Sequence, residues 1–124
     1  MKRKILISIR PEHVQNILNG TKKYEYRKVA AKQNVTSMLI YETSPTMKII
    51  AEAEIKSVLT STPVDLWKQT HNSSGISKEY FDDYFKGRKI AHAYHLGKIK
   101  IFEKPKKLSD YGIKSAPQSF VYVE

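Results

Sequence analysis

The sequence contains no cysteine among its 124 residues. This excludes a disulfide scaffold, a Cys-ligated zinc site, an iron–sulfur cluster and a thiol nucleophile. Acidic side chains are also scarce, with 12 Asp plus Glu against 22 Lys plus Arg, a formal net charge of +10. The four histidines, His13, His71, His92 and His95, form no His-x-x-x-His pair on an expected helix, so neither a metal nor any other cofactor is expected. No apolar run approaches the ~18 to 20 residues of a membrane span. The basic start Met1-Lys2-Arg3-Lys4 leads only into Ile5-Leu6-Ile7, too short for a signal-peptide core, which makes a cytoplasmic protein without a membrane partner the expectation.

What is present suits a packed core. Hydrophobic residues make up 40% and charged residues 27% of the chain, which argues against disorder. The length fits one domain over residues 1–124. The positive charge falls in two blocks: residues 1–28 carry a net +6 and residues 86–114 a net +7, while residues 29–85 between them are at −2. If the blocks converge around one cleft they make a surface suited to phosphate; if they scatter, the excess of lysine is a solubility feature.

Periodicity gives an order of elements. Ile5, Ile7 and Ile9 mark a buried strand. Pro11 opens a helix carrying Val14, Ile17 and Leu18, and Gly20 stops it. Lys23 to Lys28 alternates, with Lys23, Glu25 and Arg27 on one face and Tyr24 and Tyr26 on the other. Residues 37–42 form a strand, and Ser44-Pro45 marks a turn. A longer strand follows over 47–58, with Met47, Ile49, Ala51, Ala53 and Ile55 on its apolar face. Thr62 and Ser77 cap two short helices; Ile76 and Phe81 are spaced as a hydrophobic staple, and Trp67 and Tyr84 fall on apolar stripes that place them in the core. Ile90 to Ile101 reads as a bent strand with a bulge at Gly97, and residues 119–123 close the chain. The economical fold is α+β: a small, mostly antiparallel sheet of five to six strands, curled into a barrel that hides its edges, with two to three short helices packed on it.

The densest polar cluster is Gly20-Thr21-Lys22-Lys23-Tyr24-Glu25-Tyr26-Arg27. One carboxylate among several cations is suited to hold Lys22 or Arg27 in position, although a solvated strand face with cross-strand ion pairs gives the same pattern. In an ideal strand Lys22 and Glu25 point to opposite faces, so they meet only if Lys22 lies in the turn set by Gly20.

Gly-x-Lys-x-x-Glu-x-Arg after a strand and a helix of the type Pro-Glu-x-x-x-x-Ile-Leu resembles the ASCH domain, a branch of the PUA-like barrels. The residues that carry the resemblance are Pro11, Glu12, Ile17, Leu18, Gly20, Lys22, Glu25 and Arg27, with Ala116-Pro117-Gln118-Ser119-Phe120 similar to the close of such proteins. The resemblance implies a cleft beside the helices that binds RNA or a modified nucleotide. Lys22 and Arg27 would contact phosphate or a base edge, and Glu25 would orient them.

It also implies an alternative, since some ASCH-like proteins are amidohydrolases acting on acetylated cytidine and others ribonucleases. Lys22 matches the amidohydrolase lysine, but Glu25 occupies the place of its threonine nucleophile, and enzymatic activity, with Lys22 and Glu25 as acid and base, is left open.

Ser8 and Arg10 at the end of the first strand, and Gln118 and Ser119 before the last, would neighbour the motif in a barrel, together with Lys23. Tyr41 and Tyr94 are candidates for a base-stacking wall, whereas His95 reads as a core histidine. Duplex DNA is a poorer partner, because the first short helix after residue 60 carries only Lys68 and the next is acidic through Glu79, Asp82 and Asp83. The oligomeric state is left open.

Overall fold

The structure is a computed structural model in which residues 3–32 and 34–123 are described. The chain runs β1 (Arg3–Ile9), α1 (Pro11–Leu18), β2 (Tyr24–Arg27), β3 (Val35–Glu42), β4 (Lys48–Ser61), α2 (Pro63–Thr70), α3 (Lys78–Tyr84), β5 (Ala91–Lys106) and β6 (Phe120–Val123). Two 3-10 turns, His71–Ser73 and Leu108–Tyr111, punctuate it. The six strands form one sheet in the order β2-β5-β4-β3-β1-β6, antiparallel except for β1 beside β3.

The sheet is α+β in class, curled but not closed, because β2 and β6 are its edges and do not pair. Segment 28–32 spans part of the opening: Ala31 N–H donates to the Tyr94 hydroxyl at 2.8 Å and Lys32 N–H to that of Tyr122 at 3.1 Å. Inside the curl, Ile5, Ile7 and Ile9 of β1 meet Met38, Ile40, Ala51, Ala53 and Tyr94, and Val14 and Ile17 of α1 plug one end. On the other face, α2 and α3 cover β2 and β5 through Leu66, Phe81 and Phe85 against Tyr26, Ala91 and Ala93. A third cluster, with Leu6, Leu39, Tyr41, Ile49 and Val123 at its centre, sits under Leu108 and Tyr111.

The caps operate as their residue types dictate. The Thr62 hydroxyl accepts from Asp65 N–H, and that of Ser77 from Tyr80 N–H. Ile76 and Phe81 join the same cluster, as a staple requires. Pairing between β4 and β5 slips between Ala53 and Ile55, opposite Leu96 and Ile99, which is the bulge expected at Gly97. Met47 departs from its expected strand position. It lies in the turn before β4 with φ +53 and is exposed, because the chain must reverse there before the alternating run begins.

Candidate functional site

A cleft of about 460 Å³ lies where the sheet fails to close, and α1, α3 and segment 116–118 wall it in. Lys22, Glu25 and Arg27 all line it. Lys22 lies just before β2, tied back by its N–H to the carbonyl of Asn16 in α1 at 2.9 Å. It is therefore free of the strand's alternation, and its Nζ comes to 3.9 Å from Glu25 Oε1. The other carboxylate oxygen of Glu25, Oε2, accepts from Arg27 Nε at 3.0 Å and Nη2 at 2.8 Å. Arg27 Nη2 also donates to the carbonyl of Ser8 at 2.7 Å, so this guanidinium ties edge strand β2 to the end of β1 across the opening.

Lys22 and Glu25 are only 3% and 5% exposed, which makes this a desolvated charge cluster and not a solvated strand face. The Lys22 ammonium donates to the carbonyl of Ser74 at 3.1 Å and lies 4.8 Å from the centre of the Tyr26 ring. Burial pulls its pKa below the usual lysine value, Glu25 pushes it back up, and Arg27 lowers it further. Among the described residues, three cations, Arg10, Lys22 and Arg27, line the cleft against the single carboxylate of Glu25.

Ser8 and Gln118 also line the cleft. The Ser8 hydroxyl donates to the carbonyl of Pro117 at 2.7 Å, fastening the 116–118 segment to β1. Ser119 is held beside it, its carbonyl accepting from Ser8 N–H, but it does not line the cavity. Tyr41 and Tyr94 lie elsewhere. Tyr41 is buried in the cluster with Leu6 and Leu39, and Tyr94 is fully buried with its hydroxyl engaged by Ala31, so neither offers a ring face to the cleft. Lys23 points into a neighbouring hollow, which His95 also lines.

The aromatic wall comes instead from Tyr80 and Tyr84, four residues apart and hence on one face of α3. Tyr84 is thus cleft wall as well as a member of the core cluster, while Trp67 stays packed on Phe81 with ring centres 4.9 Å apart. His13 was not legible as a site residue. It lines the cleft near the start of α1, its Nε2 3.1 Å from the Tyr80 hydroxyl, and its Nδ1 is buried without a partner among the described residues. Burial chiefly, and then Lys22, hold its pKa below the ordinary histidine value.

The expected convergence of the two basic blocks on this cleft is not what the fold delivers. No residue of 86–114 lines it. β5 pairs with β2 only through His92–His95, and the rest of its 16 residues follow β4 away from the opening. Of that block's cations, Lys98 lines the neighbouring hollow.

The model of the ASCH domain matches residues 7–106. The chain belongs to the ASCH domain family. The crystal structure of ASCH from Zymomonas mobilis superposes with a TM-score of 0.88, covering 98% of this chain and 87% of that one at 24% identity. Among curated sequences, the large ribosomal subunit protein uL22 of Ureaplasma parvum is 31% identical over 121 residues, 97% of this chain but 39% of that protein. An ASCH domain-containing ribonuclease of Zymomonas mobilis is 26% identical over 96 residues, 77% of this chain and 65% of that one. The ASCH chain thus spans less than two thirds of either curated relative. Among its described residues, no helix is long and apolar enough to cross a membrane.

Proposed function

We propose that this ASCH domain binds RNA or a modified nucleotide, in RNA metabolism or its regulation, in the cleft formed by Lys22, Glu25 and Arg27. The observation that carries the reading is the buried Lys22 ammonium, set in a cleft whose cations outnumber its carboxylate. A buried cation with a depressed pKa gains from an incoming anion, since the anion replaces part of its lost hydration. Phosphate supplies that charge, Arg10 is exposed at the rim to meet it, and the Tyr80 and Tyr84 rings offer a wall for a base. Glu25, oriented by the Arg27 fork, presents Oε1 as an acceptor for a base amino group. The test is equilibrium binding of a single-stranded RNA across a salt series: log affinity falls with log salt, and the Lys22→Ala, Arg27→Ala double variant binds at least tenfold more weakly. Salt-independent binding, or an unaffected double variant, would overturn the reading.

A second reading, ribonuclease, is favoured by the approach of Lys22 to Glu25 and by the relative that bears that name. Glu25 Oε1 would take the proton of a ribose 2′-hydroxyl as its oxygen attacks phosphorus. Lys22 would give its proton to the departing 5′-oxygen as the P–O5′ bond breaks, leaving a 2′,3′-cyclic phosphate. Incubation with end-labelled RNA, wild type beside Glu25→Gln and Lys22→Ala, tests it. Absence of product from the wild type, or product from all three proteins alike, excludes it.

A further inference from the structure

Beside the cleft lies a second hollow of about 440 Å³ that shares Lys22 with it and has a different construction. It opens where β4 and β5 lose register, between Ala53 and Ile55 and again between Ile55 and Ser57. The extra residue of β5 falls at Gly97, where a Cβ would overlap the Glu54 carboxylate. The slips gather three lysines from separate segments: Lys23 before β2, Lys56 on β4 and Lys98 just past the bulge. Lys23 is pinned there by its backbone, its N–H donating to Ser73 at 2.8 Å and its carbonyl accepting from Leu96 N–H at 2.9 Å.

Lys23, Lys56 and Lys98 are all exposed, and among the described residues none has a carboxylate within 4 Å. Glu54, which also lines the hollow, accepts the backbone N–H of Lys98 through Oε1 at 3.2 Å. His95 lines the same hollow. Stacked on Tyr24 with ring centres 4.7 Å apart, it has its pKa held down first by burial and then by Lys56 and Lys23.

We propose that this hollow is a phosphate-binding groove continuing the cleft, so that single-stranded RNA places one nucleotide against Lys22 and Arg27 and its neighbouring phosphates against Lys23, Lys56 and Lys98. The proposal rests on the cleft being a nucleotide site and adds a ligand length and direction to it. A base in the cleft and phosphates over the bulge divide the work between base contact and backbone contact, the usual arrangement for single strands. It also gives Lys98 a role in binding that its absence from the cleft does not.

The experiment compares uridine 5′-monophosphate with a six-nucleotide oligouridine RNA, on wild type and on the Lys56→Gln, Lys98→Gln double variant. Both changes are at exposed positions outside the cleft. The wild type should bind the hexanucleotide at least tenfold more tightly than the mononucleotide. The double variant should lose roughly that advantage, with the salt slope for the hexanucleotide falling by about 1.4, while its affinity for the mononucleotide stays within twofold of wild type. In the NMR titration of wild type, the His95 pKa should rise on adding the hexanucleotide and not on adding the mononucleotide. A double variant that bound the hexanucleotide as well as wild type, or an unmoved His95, would overturn the groove and leave the cleft standing. Wild type that bound neither probe would overturn both.

Discussion

Gly75 and Lys22 touch so closely that a methyl group has no place between them: a Cβ on Gly75 would overlap the Cα, Cβ and Cγ of Lys22. Around this contact the loop after α2 forms a cradle for Lys22. The carbonyl of Ser74 receives the ammonium, and that of Ser73 receives the N–H of Lys23. The carbonyl of Gly75 itself accepts from the Asn16 side chain at 3.1 Å, bringing α1 into the same assembly.

Gly75→Ala should therefore disable the cleft through a residue that carries no functional group. Gly75 has φ +67, where an L-residue is strained, and the overlap adds overpacking. Together these should cost about 2–4 kcal/mol in urea unfolding, with RNA binding lost at temperatures where the variant is still folded. Gly87→Ala is the control. It has φ +80 but open space around the new methyl, so it should show the strain alone and keep binding.

Removing Arg27 should damage the fold as well as the site. Arg27→Ala leaves Glu25, 5% exposed, without its two strongest donors, a loss of about 1–3 kcal/mol for an unsatisfied buried acceptor. In a double-mutant cycle, Glu25→Ala with Arg27→Ala should be less destabilising than the sum of the single changes, because the orphaned carboxylate is gone. Arg27→Lys should not restore binding, since an ammonium cannot present the fork that reaches Glu25 and Ser8 together.

Alkaline pH offers a separate readout. Tyr26, buried and donating its hydroxyl to Thr70 Oγ1 at 2.7 Å, has its pKa pushed up to about 12, chiefly by burial. The unfolded chain releases that proton near pH 10 while the folded chain keeps it, so the stabilisation is fully present below pH 10 and lost as pH rises towards 12. Tyr26→Phe should lose less stability than wild type between pH 10 and 12. Tyr84 and Tyr94, also raised by burial, keep part of the slope. Lys22 works in the opposite direction: its folded pKa is lowered, so its contribution improves as pH rises from that value to 10.5.

At acid pH the group to watch is His13. Its folded pKa is lowered by burial and by Lys22, against the opposing pull of Glu25 and Glu12, with Arg10 adding to the lowering. The unfolded chain takes up a proton near pH 6.5 before the folded chain does, so stability present above 6.5 declines as pH falls through the folded value. Urea midpoints at pH 7.5, 6.5 and 5.5 should fall progressively for wild type and more shallowly for His13→Gln, which removes the titration.

Much of the architecture was legible because local chemistry and periodicity agreed. Pro11 and Gly20 bracket α1, Thr62 and Ser77 cap the next two helices, and the phase change at Gly97 marks the bulge that the β4–β5 pairing contains. The Lys22, Glu25 and Arg27 constellation was legible as a motif, and its neighbours Ser8, Arg10 and Gln118 followed from placing the first and last strands beside it. The aromatic assignments were less so. Tyr84 lies on an apolar stripe and also on the cleft wall, a double role that a stripe cannot express, and Tyr94 reads as exposed or buried depending on which face of β5 is covered.

By itself the sequence determined the elements, their caps, the family and the three residues at the heart of the cleft, because these depend on spacings of a few residues along the chain. Only the tertiary structure decided that Lys22 escapes the strand's alternation, that Arg27 crosses from β2 to the Ser8 carbonyl, and that His13 and Tyr80 meet across 67 positions of sequence. It also separated the two basic blocks. Both contribute to one sheet, but register and strand length carry most of β5 away from the opening. The scarcity of acidic residues therefore becomes two neighbouring positive hollows joined at Lys22. Long-range pairing sets these relationships, and no local spacing encodes it.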